Sequence, residues 1–559
     1  KPSDTITNDL AVDYFRAKGN SAIGVLYSSS PGGALPVIPL TNFGNAAQFD
    51  GIISAFVEGA GGPPNAGTGA AAAYAAANPN LDPGGVTSYL ETQRARGPYR
   101  FESEGPNLYR GRNLIVSNVT SVELGSEMTF RNILGYTRID SANYNDLDGT
   151  PYGIDGGGEG GIINETRQFS EEAQIVGKAL SGNLNFVIGG YFSKEKNFNI
   201  TTSKLLQFPI LAQVQTSTSN TRNETYAAYA QGTYDLSDAT GLEGLGITVG
   251  ARYTSEKIEL EVLPGDVSFL APPSVQATFE PNQDKTYNNI SWTLGIQQQV
   301  NSGLLLYAVS RRSYRNGGYN VAAPPIPGLG NDGGNGYDVE RVTDAELGIK
   351  FQGDVGSVPV RFNIDAFQNW VRNSQQVAFT LIGGTPAAIT VNVPRAKVRG
   401  VEIDGQIDPA HWLRLGFAAN YTDAKYTSNL VAVGGAAPIA FGTYSDVPEL
   451  SGTAYAEIFV PMGEDLTASL RGDVYAQKHT FFSSTDNLFG GTRLPGYAVA
   501  NFRAGVEDES TGLSFSATMK NAFNRTYYSG GNGVGPLFQI NTAVPAERRS
   551  FFVELRGQF

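Results

Sequence analysis

The chain of 559 residues lacks cysteine altogether and contains only two histidines, His411 and His479. The absence of cysteine excludes disulfides, thiol chemistry and cysteine-ligated metal sites. A hydrolase in a membrane wall needs a base beside its nucleophile. Because His411 lies in a predicted turn and His479 lies beside Lys478 late on a predicted strand, we do not expect an enzyme.

Long apolar runs and excess positive charge are missing as well. No stretch of about 18 consecutive apolar residues occurs, which excludes a membrane-spanning helix. The 40 lysine and arginine residues are outnumbered by 53 aspartate and glutamate residues, so the formal net charge is −13. An acidic chain offers no basic surface for nucleic acid, and we expect no nucleic-acid partner.

Tyrosine, phenylalanine and glycine are abundant instead, with 27, 30 and 68 residues. This composition is typical of strands, interfacial aromatic belts and loops. Near the C terminus Phe551, Val553 and Leu555 alternate with polar residues such as Glu554, and the chain ends on Phe559. A period of two places the apolar and polar side chains on opposite faces of a strand. Such strands leave the mean hydropathy low, at −0.20, even when they cross a membrane.

We count eighteen segments of this kind between Ile6 and the C terminus. Their connections alternate strictly between short and long, as the periplasmic turns and outer loops of an outer-membrane barrel do. The predicted fold class is therefore all-β: a transmembrane antiparallel β-barrel of the outer-membrane type over residues 1–559, in contact with the outer-membrane lipid of a Gram-negative bacterium. If the short turns are periplasmic, the first strand runs outward and the last inward. The predicted long outer loops are residues 18–108, 141–165, 197–223, 263–285, 315–340, 376–394, 427–448, 483–495 and 528–547.

The same alternation predicts which face of a strand contacts lipid. Leu347 and Ile349 alternate with Glu346 and Lys350 along one of these segments. A charge in the hydrocarbon costs roughly 2 to 4 kcal/mol at the bilayer midplane. We therefore expect the apolar set to face lipid and the polar set to line a wet lumen.

Five segments in order along the chain resemble those of TonB-dependent outer-membrane receptors. Each pattern is short, but their common order and the terminal phenylalanine make the set fairly specific, and the resemblance covers most of residues 110–559. The segments are residues 226–236 (YAAYAQGTYDL), 250–257 (GARYTSEK), 313–320 (SYRNGGYN), 399–402 (RGVE) and 521–528 (NAFNRTYY).

The resemblance implies a TonB-dependent transporter that imports a scarce siderophore-, cobalamin- or oligosaccharide-like nutrient. Such receptors have barrels of about 22 strands with a plugged lumen. A TonB-type energy-coupling protein is the implied partner, through an N-terminal segment that this chain does not show. Because we count four strands fewer than about 22, we expect the plug and the first four strands to lie outside this chain, which also carries no signal peptide. The alternative is a complete 18-stranded porin that passes solutes passively.

Aromatic and polar residues near the outer strand ends are the predicted contacts of a small-molecule substrate. Aromatic faces with a few polar groups suit sugars, chelates and ring-bearing ligands alike. Packing within loops or at the membrane interface would account for the same residues. They are Tyr144, Tyr152, Arg315, Tyr319, Asn320, Tyr337 and Tyr528.

The acidic loop 141–165 is a candidate calcium site, since loops rich in carboxylate oxygens bind Ca²⁺. The predicted ligands are Asp146, Asp148 and Asp155, which lie among glycines. Their spacing differs from that of an EF-hand, and a solvated acidic loop is the alternative. We expect no cofactor other than this structural Ca²⁺.

Overall fold

A computed structural model of the chain describes most of its residues. The described residues are 5–20, 24–29, 67–77, 85–205, 213–263, 282–320, 335–382, 385–432, 438–485, 491–533 and 540–558, with single positions between 50 and 65. The terminal Phe559 lies outside them.

Strands dominate the described residues, and eighteen of them form one large antiparallel sheet. This confirms the predicted fold class and the predicted number of strands. In chain order the strands are β1 (Ile6–Gly19), β2 (Val25–Ser29), β3 (Leu108–Glu123), β4 (Met128–Tyr144), β5 (Asp155–Ala179), β6 (Leu184–Leu205), β7 (Gln213–Asp235), β8 (Leu245–Leu263), β9 (Asn282–Asn301), β10 (Leu304–Arg315), β11 (Gly318–Tyr319), β12 (Gly336–Tyr337), β13 (Glu340–Val355), β14 (Val358–Ile382), β15 (Thr385–Ala410), β16 (Leu413–Ser428), β17 (Leu430–Val431), β18 (Ile439–Ala440), β19 (Leu450–Pro461), β20 (Leu466–Gln477), β21 (Thr480–Phe481), β22 (Arg493–Leu494), β23 (Tyr497–Asp508), β24 (Leu513–Lys520), β25 (Tyr528–Asn532), β26 (Ile540–Pro545) and β27 (Ser550–Gly557).

The shorter strands lie in the outer connections and form small separate sheets. β11 pairs with β12, β17 with β18, and β21 with β22, while β26 lies between β2 and β25. The described helices are Ala70–Ala77, Gly85–Arg96 and Ser237–Thr240. None of the helices in the described part of the chain is long and apolar enough to cross a membrane.

The eighteen long strands pair in the order in which they follow one another along the chain. β1 pairs with β3, β3 with β4, and so on to the ladder of β24 with β27. Among the described residues, β1 has no ladder except that with β3, and β27 none except that with β24. The wall therefore has two free strand edges, and Leu10 on one and Val553 on the other are 66% and 71% exposed.

The registers place the apolar residues of neighbouring strands side by side on one face. Leu347 lies opposite Ala366, and Ile349 lies opposite Ile364. Leu347 is 64% exposed although nothing in its chemistry favours water. These side chains form the lipid-facing surface that the alternation predicted, and the polar residues between them line the lumen.

The strands continue into several of the predicted outer loops, among them residues 141–165, which β4 and β5 enter. β6 and β7 extend to Leu205 and from Gln213, and β14 and β15 extend to Ile382 and from Thr385. Asn and Thr in these segments suggest loops by propensity, but backbone ladders continue regardless of side chain once a partner strand is in register. The strand β24 ends at Lys520, because Asn521 takes a positive φ of 46°, a left-handed conformation that a strand does not accommodate.

The lipid-facing assignment predicts the effect of a charge at Leu347. Leu347→Arg should lower the free energy of unfolding by about 2 to 4 kcal/mol, since the guanidinium would face hydrocarbon near the middle of β13. Guanidinium-induced unfolding of the full-length protein in phospholipid vesicles measures this loss.

The matched control is Thr453→Arg, because Thr453 is exposed and lies in the lumen-facing row of β19, opposite Tyr475 of β20. It should change stability by less than about 1 kcal/mol. An equal loss of unfolding free energy in the two variants would show that the assignment of lipid-facing and lumen-facing residues is wrong.

Candidate functional site

The candidate site is the outer end of the lumen, where long strands project and short loop strands pack against them. The structure brings Arg315, Tyr319, Asn320 and Tyr337 together in one loop hairpin. It places Tyr528 in a second cluster around β2 and β26, Tyr152 in the loop 141–165 and Tyr144 at the end of β4.

The hairpin consists of β11 and β12, in which Tyr319 lies opposite Gly336 and Gly318 opposite Tyr337. Tyr319 packs against a small apolar cluster of Ile258, Tyr287 and Val339. In this pairing a glycine lies opposite each tyrosine, which leaves room for the tyrosine rings. A Cβ on Gly318 would lie 2.6 Å from the Tyr337 hydroxyl oxygen, so no larger residue fits beneath that ring.

Asn320 fastens the hairpin to the wall. Its side-chain Nδ2 donates to the backbone oxygens of Asn335 and Thr390, both at 3.1 Å, and its Oδ1 accepts from the Thr390 N–H at 2.7 Å. Asn320 is only 8% exposed. Its polar atoms are thus engaged in holding the loop to β15, and in this structure it positions the hairpin rather than facing solvent.

Arg315 and Tyr337 differ in their exposure. Arg315 ends β10 opposite Glu340 and is exposed. Tyr337 is half-buried, and burial raises the pKa of its phenol while the charge of nearby Arg315 lowers it in part. Among Arg315, Tyr319, Asn320 and Tyr337, Arg315 therefore presents the most accessible polar group to a solute.

Four further residues join the hairpin to the lumen wall, and the sequence analysis did not identify them. Asn289 donates to Asn316 Oδ1 at 2.9 Å, and Asn316 donates in turn to the carboxylate of Glu256. Gln375 Nε2 donates to the backbone oxygens of Asn316 at 2.7 Å and Asp338 at 3.0 Å. The period-two pattern of β9 places Asn289 on the lumen face, and assigning that facing would have indicated its contact with Asn316.

Tyr528 lies in the second cluster, at the start of β25. Its ring meets that of Tyr27 edge to face at 5.2 Å, and Tyr27 also contacts Phe482 at 6.1 Å. Leu494 and Ala543 complete this apolar core. Packing between β2, β25 and the outer end of the wall therefore partly buries the Tyr528 side chain.

Tyr152 is buried within the same region. It is 2% exposed, and its ring packs edge to face against Tyr89 of the helix Gly85–Arg96 at 5.6 Å. A ring in this position is closed to a solute unless the loops rearrange. Tyr144 ends β4 opposite Leu108 and is partly exposed.

The acidic loop brings two of the three predicted metal ligands together and adds one that was not predicted. Single carboxylate oxygens of Glu104, Asp146 and Asp148 lie within 4.8 Å of one another. Asp146 and Asp148 are 1% and 0% exposed, and burial raises the pKa of the Asp146 carboxyl to about 6. Asp155 begins β5 opposite Leu205, and its side chain lies outside the described residues.

Glu104 was missed because it lies in the long connection 18–108, where neither spacing nor periodicity points to loop 141–165. The residue Gly156 brings it close: a Cβ there would lie 2.5 Å from Glu104 Oε1. Gly156 also forms an isolated bridge with Asp146. No sequence pattern of a single loop could have indicated this contact between two loops.

Deeper in the lumen the wall is strongly polar. Arg311 pairs with Asp344 at 2.9 Å and with Glu346 at 2.5 Å, and Tyr307 donates to Glu346 at 2.7 Å. Across β14, Asp365 lies opposite Glu402 of β15. Charges in such a wall suit a wet passage or a polar occupant.

The two histidines sit in unremarkable surroundings. His411 lies in the turn between β15 and β16, and the His479 ring lies edge to face against Phe481 at 5.8 Å. Neither position groups the histidine with a serine or threonine nucleophile among the hydrogen bonds of the described residues.

Comparison with known proteins shows the same architecture. Residues 59–522 match the family described as TonB dependent receptor-like, beta-barrel. Among curated proteins, none matches this chain. The family match covers the wall strands from β3 to β24.

Several solved structures resemble this chain in fold. The ferric yersiniabactin uptake receptor FyuA from Yersinia pestis is 16% identical with a TM-score of 0.60, over 81% of this chain and 62% of FyuA. The closed form of the ferric-catecholate import receptor Fiu from E. coli K12 is 14% identical with a TM-score of 0.62, over 98% of this chain and 71% of Fiu. The siderophore receptor PiuA from Acinetobacter baumannii is 14% identical with a TM-score of 0.60, over 82% of this chain and 67% of PiuA.

The chain thus spans only about three fifths of the length of FyuA. At these identities the structural likeness shows the fold alone, whereas the family match extends over most of the chain. The members of that family are transport receptors of the Gram-negative outer membrane and not enzymes. The chain belongs to the TonB-dependent receptor-like β-barrel family.

Proposed function

We propose that this chain is the greater part of the barrel of a TonB-dependent transporter, which imports a scarce nutrient across the outer membrane of a Gram-negative bacterium. The observation that carries the proposal is the open wall: eighteen strands paired in chain order, with no ladder between β1 and β27 among the described residues. Further strands of the full protein would pair with both edges and close the ring.

Free edges cannot persist in a bilayer. Each unpaired backbone N–H or C=O in hydrocarbon costs several kcal/mol, so a spanning sheet must close on itself. A passive 18-stranded porin would close by pairing β1 with β27, and the described residues of these strands form no such ladder. The geometry therefore favours the larger barrel of a receptor over the porin alternative.

The outer hairpin and the polar wall beneath it supply a capture surface for the substrate. Arg315 offers an exposed cation, and Tyr337 of β12 lies near it, while Tyr319 of β11 packs on the apolar cluster of Ile258, Tyr287 and Val339. A planar or chelate-like solute of siderophore, cobalamin or oligosaccharide type suits such aromatic and polar groups. Because FyuA is a ferric yersiniabactin uptake receptor, Fiu a ferric-catecholate import receptor and PiuA a siderophore receptor, ferric chelates are the first class to test.

A wide polar lumen needs a plug to prevent leakage, and the plug needs energy to move. In this proposal, both come from outside the chain: an upstream segment fills the lumen, and a TonB-type protein in the periplasm pulls on it. The lumen charges of Arg311 and Glu346 would face that segment. The chain itself supplies the wall and the outer capture surface.

Energy-coupled uptake tests the proposal directly. Cells that produce the full-length protein should take up one member of a panel of radiolabelled ferric chelates, cyanocobalamin and oligosaccharides. Deleting the gene for the energy-coupling protein should reduce that uptake to background, because the plug would stay in place.

The control is a strain that produces a general porin and whose uptake of small solutes does not depend on the coupling protein. Uptake by the full-length protein that persists without the coupling protein would contradict the proposal. A steady conductance of the protein in planar bilayers would contradict it too and would favour the porin.

The hairpin anchor generates a second prediction. Asn320→Ala removes three hydrogen bonds to Asn335 and Thr390, and a lost hydrogen bond costs about 0.5 to 1.5 kcal/mol. We expect chymotrypsin to cut after Tyr319 and Tyr337 at least roughly tenfold faster, and the apparent KM for uptake to rise while the barrel still folds.

The matched control is Asn429→Ala, which removes the contact of Asn429 Nδ2 with the Phe441 backbone oxygen in another outer loop. That variant should leave cleavage after Tyr319 unchanged. Unchanged cleavage in Asn320→Ala would show that the hairpin is held by other contacts.

A further inference from the structure

We propose that Glu104, Asp146 and Asp148 bind one Ca²⁺ ion, which joins the first outer loop of the chain to the second. Ca²⁺ takes six to eight oxygen ligands at about 2.3 to 2.6 Å, so two oxygens on one ion lie at most about 5 Å apart. The three carboxylate oxygens satisfy this limit, since all lie within 4.8 Å of one another. The three carboxylates come from two loops.

A cluster of carboxylates alone would not indicate an ion, but one oxygen of this cluster has no partner. Asp146 is 1% exposed, and its Oδ1 accepts the backbone N–H groups of Asp148 at 2.9 Å and Gly149 at 3.0 Å. Its other oxygen, Oδ2, is buried without any hydrogen-bond partner. Burying a carboxylate oxygen without a partner costs free energy, and binding a cation to that oxygen would recover it.

The absence of a side chain at Gly156 leaves room for the third ligand. An ideal Cβ there would lie 2.5 Å from Glu104 Oε1. The backbone of Gly156 also forms an isolated antiparallel β-bridge with that of Asp146. Glu104 is exposed on its other side, which gives an ion a route from solvent. Because glycine has no side chain, this position leaves room for the Glu104 carboxylate beside the two aspartates.

The chemistry of the ligands favours calcium over a softer metal. All three are hard carboxylate oxygens, and neither histidine nor cysteine lies in the group. Carboxylate and water ligands suit Mg²⁺, Ca²⁺ and Mn²⁺, and a site that combines a flexible glutamate with two loop aspartates suits the irregular geometry of Ca²⁺. Water would complete the coordination from the exposed side.

A bound ion would stabilise the outer loops as a unit. Gly149 packs so closely on β2 that a Cβ there would lie 2.7 Å from the Leu26 nitrogen. Thr542 of β26 donates to the backbone oxygen of Leu147 at 3.3 Å. Fastening Glu104 to this loop therefore also fastens the segment before β3 to the small sheet of β2, β25 and β26.

Terbium, a luminescent substitute for calcium, tests the site through the tyrosines beside it. The full-length protein, stripped with EDTA in detergent, should give a saturable Tb³⁺ emission when tyrosine is excited, and CaCl₂ should displace it. Asp146→Asn should weaken Tb³⁺ binding at least tenfold, because the unpartnered oxygen is replaced or loses its charge while the backbone contacts can remain.

A second variant keeps every carboxylate. Gly156→Ala should displace only the flexible end of Glu104 and weaken binding as well, so a loss there cannot be attributed to a removed charge. Glu91→Gln is the control, since Glu91 is an exposed acid of the helix Gly85–Arg96; it should bind as the parent protein does. Gel mobility before and after heating confirms that each barrel is folded.

The absence of saturable emission from the parent protein would overturn the proposal. Parent-like affinity in Asp146→Asn would overturn it equally, since the ion would then be bound elsewhere. The readout is independent of transport, so it does not depend on the function proposed above.

Discussion

The hydrogen-bond requirement of a backbone in hydrocarbon determines this structure. Without water in the bilayer core, each N–H and C=O of a spanning strand must pair with a neighbouring strand. The ladder from β1 to β27 meets that requirement at every strand except on the outer edges of its first and last members. Pairing at those two edges is therefore the point on which the proposed larger barrel and a closed 18-stranded barrel differ.

The wall and the outer loops are held together by different forces. In the wall, backbone ladders provide the order and side chains need only match lipid or lumen. In the described part of the outer loops the apolar clusters are small, so individual polar contacts contribute more to holding each loop in place. Asn320 holds one hairpin to β15, and the edge-to-face pair of Tyr89 and Tyr152 packs a helix onto the acidic loop. Removing one such contact should therefore disturb one loop and leave the barrel intact.

The parts of the fold that could be predicted are those with a short repeat. The alternation around Leu347 predicts the lipid-facing side of a strand without any partner strand, and the alternation of short turns with long loops predicts the direction of each strand. The outer site has no such repeat. Asn320 meets Thr390 across 70 positions of sequence, and Glu104 reaches Asp146 from a different loop. Residue type alone made Asp146 and Tyr152 candidates, but it could not indicate that Tyr152 would be buried and that Glu104 would join the acids.

Cross-linking of the two free edges measures the central claim most directly. Because the chain contains no cysteine, paired substitutions give a clean background, and a disulfide needs Cα atoms roughly 4.4 to 6.8 Å apart. Val12→Cys is combined in turn with Phe551→Cys, Val553→Cys and Leu555→Cys in the full-length protein in outer membranes. Ala517→Cys with Val553→Cys, which lie opposite each other in the ladder of β24 and β27, is the positive control. The open wall predicts oxidation of the control pair and none of the others, whereas a disulfide between β1 and β27 would show a closed 18-stranded barrel.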